Sequence, residues 1–77
     1  MVALRYADRA HIMNALLRMD DDTVLTPREV ADLFHVNAAT PARWEARGVR
    51  VARTPTGQRR YPVTELRLLL LREEVGR

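Results

Sequence analysis

Cysteine, serine and lysine are absent from this chain of 77 residues, and each absence excludes some chemistry. A chain without cysteine forms neither a disulfide framework nor a thiolate metal site, so it requires no oxidising compartment. The usual nucleophiles of covalent catalysis are missing, and no histidine lies near a carboxylate in a recognisable catalytic arrangement. We therefore expect the protein not to be an enzyme and to carry no cofactor.

Metal-binding patterns are also missing. His11 and His35 are far apart in the sequence and have no partner at ligand spacing, which argues against a zinc site. The triplet Asp20–Asp22 lacks the spacing and the glycine of a calcium loop, and we interpret it as a solvated linker. The sequence predicts no bound metal.

Long apolar runs are absent too. No stretch approaches the roughly 20 apolar residues that span a bilayer, and the N-terminus lacks the features of a signal peptide. A cytoplasmic location without membrane attachment is expected. Seventy-seven residues are predicted to form a single domain, of a size at which a core alone is barely sufficient, so stability must come from packing or from self-association.

What the chain does have is arginine, which supplies all thirteen of its basic residues and is concentrated in one block. Residues 1–42 hold four arginines and six acids (−2), residues 43–60 hold six arginines and one acid (+5), and residues 61–77 hold three of each (0). Such a block is either a solvated face or a contact surface for phosphates.

The first helix is predicted over residues 4–19. One apolar stripe contains Tyr6, Ala10, Met13 and Leu17, and an adjoining one contains Ile12, Leu16 and Met19. The three aspartates that follow oppose the helix dipole and end the pattern.

The second helix has the clearest start in the chain, a capping box in which Thr26 caps, Pro27 takes the first position and Glu29 reaches back. Val30, Leu33 and Phe34 follow at helical spacing and should face the core. Ala31 is small enough to allow a close crossing by the next helix. This helix is predicted to end near His35.

The third helix is predicted over Asn37–Arg47, where it carries Arg43 and Trp44, and Gly48 stops it. Pro41 leaves two alternatives. If Asn37 is the cap, the helix loses a hydrogen bond at Pro41 and is kinked; if Thr40 is the cap, the helix begins late and loses nothing.

Beyond Gly48 the period changes to that of a strand, followed by a type I turn at residues 54–57 and a return strand over 58–61. A last helix is predicted over residues 62–75. Leu66, Leu69 and Leu70 share its core face, whereas Leu68 and Leu71 lie off that face and need a cover.

These parts resemble a known family. LTPREVADLFHVNAATPARW is similar to the helix-turn-helix of the MerR-type winged helix-turn-helix superfamily, and RTPTGQRRY is similar to its wing. The likeness covers about residues 25–70 and is nearest to the single-domain BldC-like branch, to which excisionases are related. The chain departs from the family at Pro41, where a β-branched residue is usual, at Thr56 and Gln58 in the wing, and by one residue fewer between Gly48 and Arg53.

The resemblance implies a mainly α fold with a two-stranded β-hairpin wing. It also implies duplex DNA binding, with the third helix in the major groove and the wing on the backbone or in the minor groove. Arg43 is predicted to read a base, Thr40 and small alanines to touch thymine methyls, and the wing to hold phosphates. Trp44 and the Tyr61 ring are expected in the core, with the Tyr61 hydroxyl able to reach DNA. The predicted contact residues are Ala39, Thr40, Ala42, Arg43, Arg47, Arg53, Thr54, Gln58, Arg59, Arg60 and Tyr61.

Three functions remain open from the sequence. The first is a small nucleoid-associated transcriptional regulator without a small-molecule effector, several protomers of which bind repeated sites; head-to-tail assembly is implied by the resemblance alone. The second is an excisionase that bends attachment-site DNA. The third, of a different class, is a protein-interaction module in which the N-terminal helix, Leu68 and Leu71 form an apolar docking or self-association face.

Overall fold

A computed structural model describes residues 6–75, which form a mainly helical domain with a small antiparallel sheet. The mainly helical character and the small antiparallel sheet agree with the prediction. The elements in chain order are α1 (Tyr6–Leu17), β1 (Val24–Leu25), α2 (Pro27–Phe34), α3 (Thr40–Glu45), β2 (Ala52–Arg53), β3 (Arg59–Pro62) and α4 (Val63–Val75). The first two residues of the helix predicted over 4–19 lie outside the described residues.

The sheet has three strands, and the predicted two-stranded hairpin was wrong on this point. β3 lies in the middle, with β2 on one side and β1 on the other, both antiparallel to it. Leu25 of β1 is opposite Tyr61, and the Val63 N–H donates to the Thr23 carbonyl at 3.0 Å. A two-residue strand is too short to show an alternating pattern, so the sequence signal for β1 is absent.

The core lies where α1, α2, α4 and the sheet meet. Phe34 of α2 packs against Trp44 of α3 with ring centroids 5.1 Å apart and planes tilted by 59°, a favourable edge-on geometry. Trp44 and the Tyr61 ring are buried, as predicted. The central buried residues are Ile12, Leu16, Leu25, Val30, Phe34, Trp44, Val49, Tyr61, Val63, Leu66 and Leu70.

The predicted faces of the outer helices are only partly correct. In α1 the stripe of Ile12 and Leu16 is buried, whereas Ala10 and Leu17 of the other stripe are exposed. α4 buries Leu66 and Leu70 as predicted, and it leaves Leu68 and Leu71 exposed. Because α1 has two adjoining apolar stripes, periodicity alone did not identify which stripe packs against α4.

Local signals define both ends of α2. The Glu29 N–H donates to Thr26 Oγ1 at 3.1 Å and the Thr26 N–H donates to Glu29 Oε1 at 2.9 Å, which confirms the capping box. At the other end, His35 adopts φ 56°, and the N–H of Val36 donates to the Ala31 carbonyl at 3.0 Å. This bond across the left-handed residue terminates the helix.

α3 begins late and is shorter than the predicted Asn37–Arg47. Asn37 Oδ1 accepts from the Ala39 N–H at 2.9 Å and so forms a turn before the helix, which starts at Thr40. Pro41 therefore lies in the first turn, where its missing N–H loses no helical bond. Arg47 lies in the turn after the helix, where Gly48 at φ 101° allows the Val49 N–H to reach the Trp44 carbonyl.

The turn between β2 and β3 lies at the predicted residues 54–57. The Gly57 N–H donates to the Thr54 carbonyl at 2.8 Å, and Gly57 itself adopts φ 87°, which favours glycine. Pro62 closes β3 rather than opening the last helix. It has a strand neighbour, Val24, on one side only, so its missing N–H is tolerated there.

Candidate nucleic-acid interface

The arginine block of residues 43–60 contains α3, the following turn and the β2–β3 hairpin. A single carboxylate connects these elements. Glu45 of α3 accepts from Arg53 of β2 and from Arg59 of β3, so the end of the helix and both hairpin strands lie against one another. Residues that are separated in the sequence therefore contribute to one surface.

The Glu45 contacts are short and directional. Arg53 Nη2 donates to Glu45 Oε2 at 3.0 Å and to Oε1 at 3.2 Å, and Arg59 Nε donates to Oε1 at 3.1 Å. The hydrogen bond from Arg59, followed by the charges of both arginines, lowers the pKa of Glu45 below its ordinary value despite partial desolvation. Glu45 is consequently ionised at neutral pH, and the three side chains together carry a net charge of +1.

Arg59 and Arg60 are neighbours in β3, but they lie on opposite faces of the hairpin. Successive residues of a strand point to opposite faces, so Arg59 and Tyr61 share the face toward Glu45 and Arg60 lies on the other face. Arg60 Nη2 donates to Gln58 Oε1 at 3.0 Å, and its Nη1 donates to the Arg59 carbonyl at 2.7 Å. Arg59 and Arg60 therefore have separate surroundings, although they are adjacent in the sequence.

The exposed side of α3 carries one arginine and otherwise small side chains. Arg43 is exposed, and within residues 6–75 its guanidinium has no hydrogen-bond or ion-pair partner. Ala39 is exposed beside it, and Thr40 and Ala42 are partly exposed. The opposite side of the helix is buried through Pro41 and Trp44.

Three other predicted contact residues have different surroundings. Arg47 is exposed in the turn after α3. Thr54 Oγ1 is occupied within the hairpin turn, where it accepts from the Gln58 N–H at 3.1 Å. Gln58 is exposed at the end of that turn, and its Oε1 accepts a hydrogen bond from Arg60.

Tyr61 is removed from the predicted contacts. Its side chain is completely buried, and its hydroxyl has no hydrogen-bond partner among the described residues. Burial raises the pKa of this hydroxyl, and the nearby Arg59 charge partly opposes that effect. The prediction that the hydroxyl reaches DNA was wrong, because Tyr61 shares the inner face of β3 and packs in the core.

Glu45 was not among the predicted site residues; in the sequence it is only the one negative charge of the block. An acid near the C-terminal end of a helix is unfavourable to the helix dipole. That position, among six arginines, was the available signal that Glu45 has partners in the fold.

The described residues contain no group of three or more histidine, cysteine or acidic side chains placed to hold a metal ion. None of their helices is both long and apolar enough to cross a membrane. No protein-family model matches the chain, and comparisons with curated proteins and with solved structures find no similar protein.

Proposed function

We propose that this protein binds duplex DNA in a sequence-specific manner and acts as a small transcriptional regulator of the MerR-type winged helix-turn-helix class. The observation that carries the proposal is the joining of α3 to the β2–β3 hairpin through Glu45, within a block of net charge +5. Phosphate contacts supply most of the affinity of DNA-binding proteins, and a helix with one free arginine supplies base recognition.

In the proposed complex α3 enters the major groove. Its exposed side offers Ala39, Thr40 and Ala42, which are small enough to approach base edges, and the unpaired Arg43, which is able to make a bidentate contact with guanine. The hairpin arginines contact the backbone or the adjacent minor groove. A helix of six residues reads few base pairs, so adjacent protomers on repeated sites supply further affinity.

The first experiment is selection of bound duplexes from a random library, followed by titration of a fluorescent duplex carrying the selected site. Arg43→Ala should weaken specific binding by about 1–3 kcal/mol and relax one base preference. Arg18→Ala is the matched control, because Arg18 is an exposed arginine outside the block. If no duplex sequence is enriched and binding is absent even at low salt, the proposal fails; an unchanged motif with Arg43→Ala removes Arg43 from base recognition.

The second experiment measures the salt dependence of binding. Loss of one phosphate contact should reduce the slope of log K against log salt by about 0.9. Arg60→Ala and Arg59→Ala are compared separately, because the two side chains lie on opposite faces of β3. A slope identical to that of the unaltered protein rejects a phosphate contact for that arginine.

A further inference from the structure

Glu45 carries a negative charge on the proposed DNA-binding surface, and the proposed function does not by itself explain that charge. It is the only acid between residues 43 and 60, and an acid on a DNA-binding surface repels phosphates. Arg53 and Arg59 are directly opposite each other on neighbouring strands, where like charges destabilise the pairing. The Glu45 carboxylate is within 3.0–3.2 Å of both guanidinium groups and offsets that repulsion.

Arg53 and Arg59 each keep N–H donors that Glu45 does not occupy. Glu45 occupies Nη2 of Arg53 and Nε of Arg59. An arginine has five N–H donors, so Nε and Nη1 of Arg53 and both terminal nitrogens of Arg59 remain without a partner in the described part of the chain. The arginines are also more exposed, at 46% and 40%, than the carboxylate, at 35%.

We infer that Glu45 is a positioning residue, which holds Arg53 and Arg59 together so that their remaining N–H groups bind one phosphate of the DNA backbone. This inference rests on the proposed DNA binding. A free arginine side chain loses much rotamer freedom when it contacts a phosphate, and the ion pairs remove part of that freedom before DNA arrives. The bound phosphate adds a second anion to two cations, so it meets a site whose net charge is still positive.

This inference predicts an effect opposite in sign to that of simple charge repulsion. Glu45→Ala removes a negative charge from the surface, so repulsion alone predicts tighter binding. The positioning role predicts weaker binding, by about threefold or more, because both arginines lose their orientation. Glu45→Gln keeps one acceptor oxygen in place and should restore part of the affinity.

The test is titration of a fluorescein-labelled mixed-sequence duplex of about 20 base pairs, chosen to exceed one site, with the whole chain and its variants at low salt. Glu45→Ala is measured in the unaltered protein and in the Arg53→Ala/Arg59→Ala variant. We expect weakening in the first background and no weakening in the second, where no arginine remains to be positioned. The Nε–H NMR signal of Arg59 should also shift in Glu45→Ala, and circular dichroism verifies that each variant is folded.

Each outcome has one meaning. Unchanged or tighter binding of Glu45→Ala, or equal weakening in both backgrounds, overturns the positioning role and leaves the proposed DNA binding intact if the unaltered protein binds. Failure of the unaltered protein to bind any duplex overturns the proposed function itself, and the positioning role with it. If Glu45→Ala is unfolded, Glu45→Gln replaces it, and weaker binding in the unaltered background alone is again the supporting result.

Discussion

Arg67 should be among the most important polar side chains for stability, although it lies outside the arginine block. From α4 its Nε and Nη2 donate to the Leu16 carbonyl at 3.2 and 2.8 Å, and Nη2 also donates to the Met19 carbonyl at 2.8 Å. The last carbonyls of a helix lack the usual N–H partner four residues on. The Leu16 carbonyl accepts from the Met19 N–H at 3.2 Å in the turn after α1, and Arg67 adds further donors to it, so Arg67 caps the end of α1. Its Nη1 donates to Asp21 at 2.7 Å.

The expected magnitude follows from these contacts. Hydrogen bonds to a charged group contribute about 1.5–3 kcal/mol each to stability. Water can take the place of some of these donors at a helix end, so Arg67→Met should lower the free energy of unfolding by about 2–4 kcal/mol. Methionine preserves most of the apolar stem. For a domain of this size the melting temperature should fall by about 8–32 °C, at roughly 4–8 °C per kcal/mol. The ion pair with Asp21 contributes little, because that carboxylate is 79% exposed whereas the Arg67 side chain is 18% exposed.

The assay is urea and thermal unfolding followed by far-ultraviolet circular dichroism. Arg72→Met is the matched control on the same helix, since Arg72 is exposed, and should lie within about 0.5 kcal/mol of the unaltered protein. Asp21→Asn should cost at most about 1 kcal/mol. The reasoning is refuted if Arg67→Met is as stable as the control, or if Asp21→Asn costs as much as Arg67→Met.

Three further predictions concern single residues. Tyr61→Phe removes a buried hydroxyl that has no partner among residues 6–75, so it should leave DNA binding unchanged and raise the free energy of unfolding by up to about 1 kcal/mol in urea titrations; a loss of stability would reveal a partner. His35→Gly relieves a left-handed conformation at φ 56° and should stabilise by about 0.5–1 kcal/mol, and a lower melting temperature would contradict this. The pKa of Glu45 is lower in the folded than in the unfolded chain, so its contribution to stability is complete above the unfolded pKa and is lost as pH falls through the folded one. An NMR titration of the carboxyl group checks the direction, and an unshifted or raised pKa would be the contrary result.

Much of the local structure was predictable because its causes are local. The capping box of Thr26 and Glu29, the stop at Gly48 and the turn from Thr54 to Gly57 each depend on hydrogen bonds between residues at most five positions apart. Such bonds require particular residue types at particular spacings, which are visible in a sequence. Pro41 left the start of α3 open. The observed helix begins late, so proline loses no helical bond, but Ala39 is the cap instead of the predicted Asn37 or Thr40.

The candidate surface was predictable only as a charge block. Alternation along β3 assigns Arg59 and Arg60 to opposite faces, but which face meets α3 depends on the packing of Tyr61 in the core. The hydroxyl of Tyr61 was misassigned for that reason. Nothing in the spacing of Glu45 and Arg59, fourteen residues apart, indicates their hydrogen bond.

Residue types and their spacing therefore specified the presence of the four helices, the capping box of α2, the hairpin turn and the concentration of positive charge between residues 43 and 60. The tertiary structure decided which side chains meet: β1 joins the sheet, Arg67 caps a helix 51 residues away, and Glu45 connects the two hairpin strands. The physical reason is that these contacts form between distant segments once apolar burial has brought them together. Local residue preferences carry no information about that pairing.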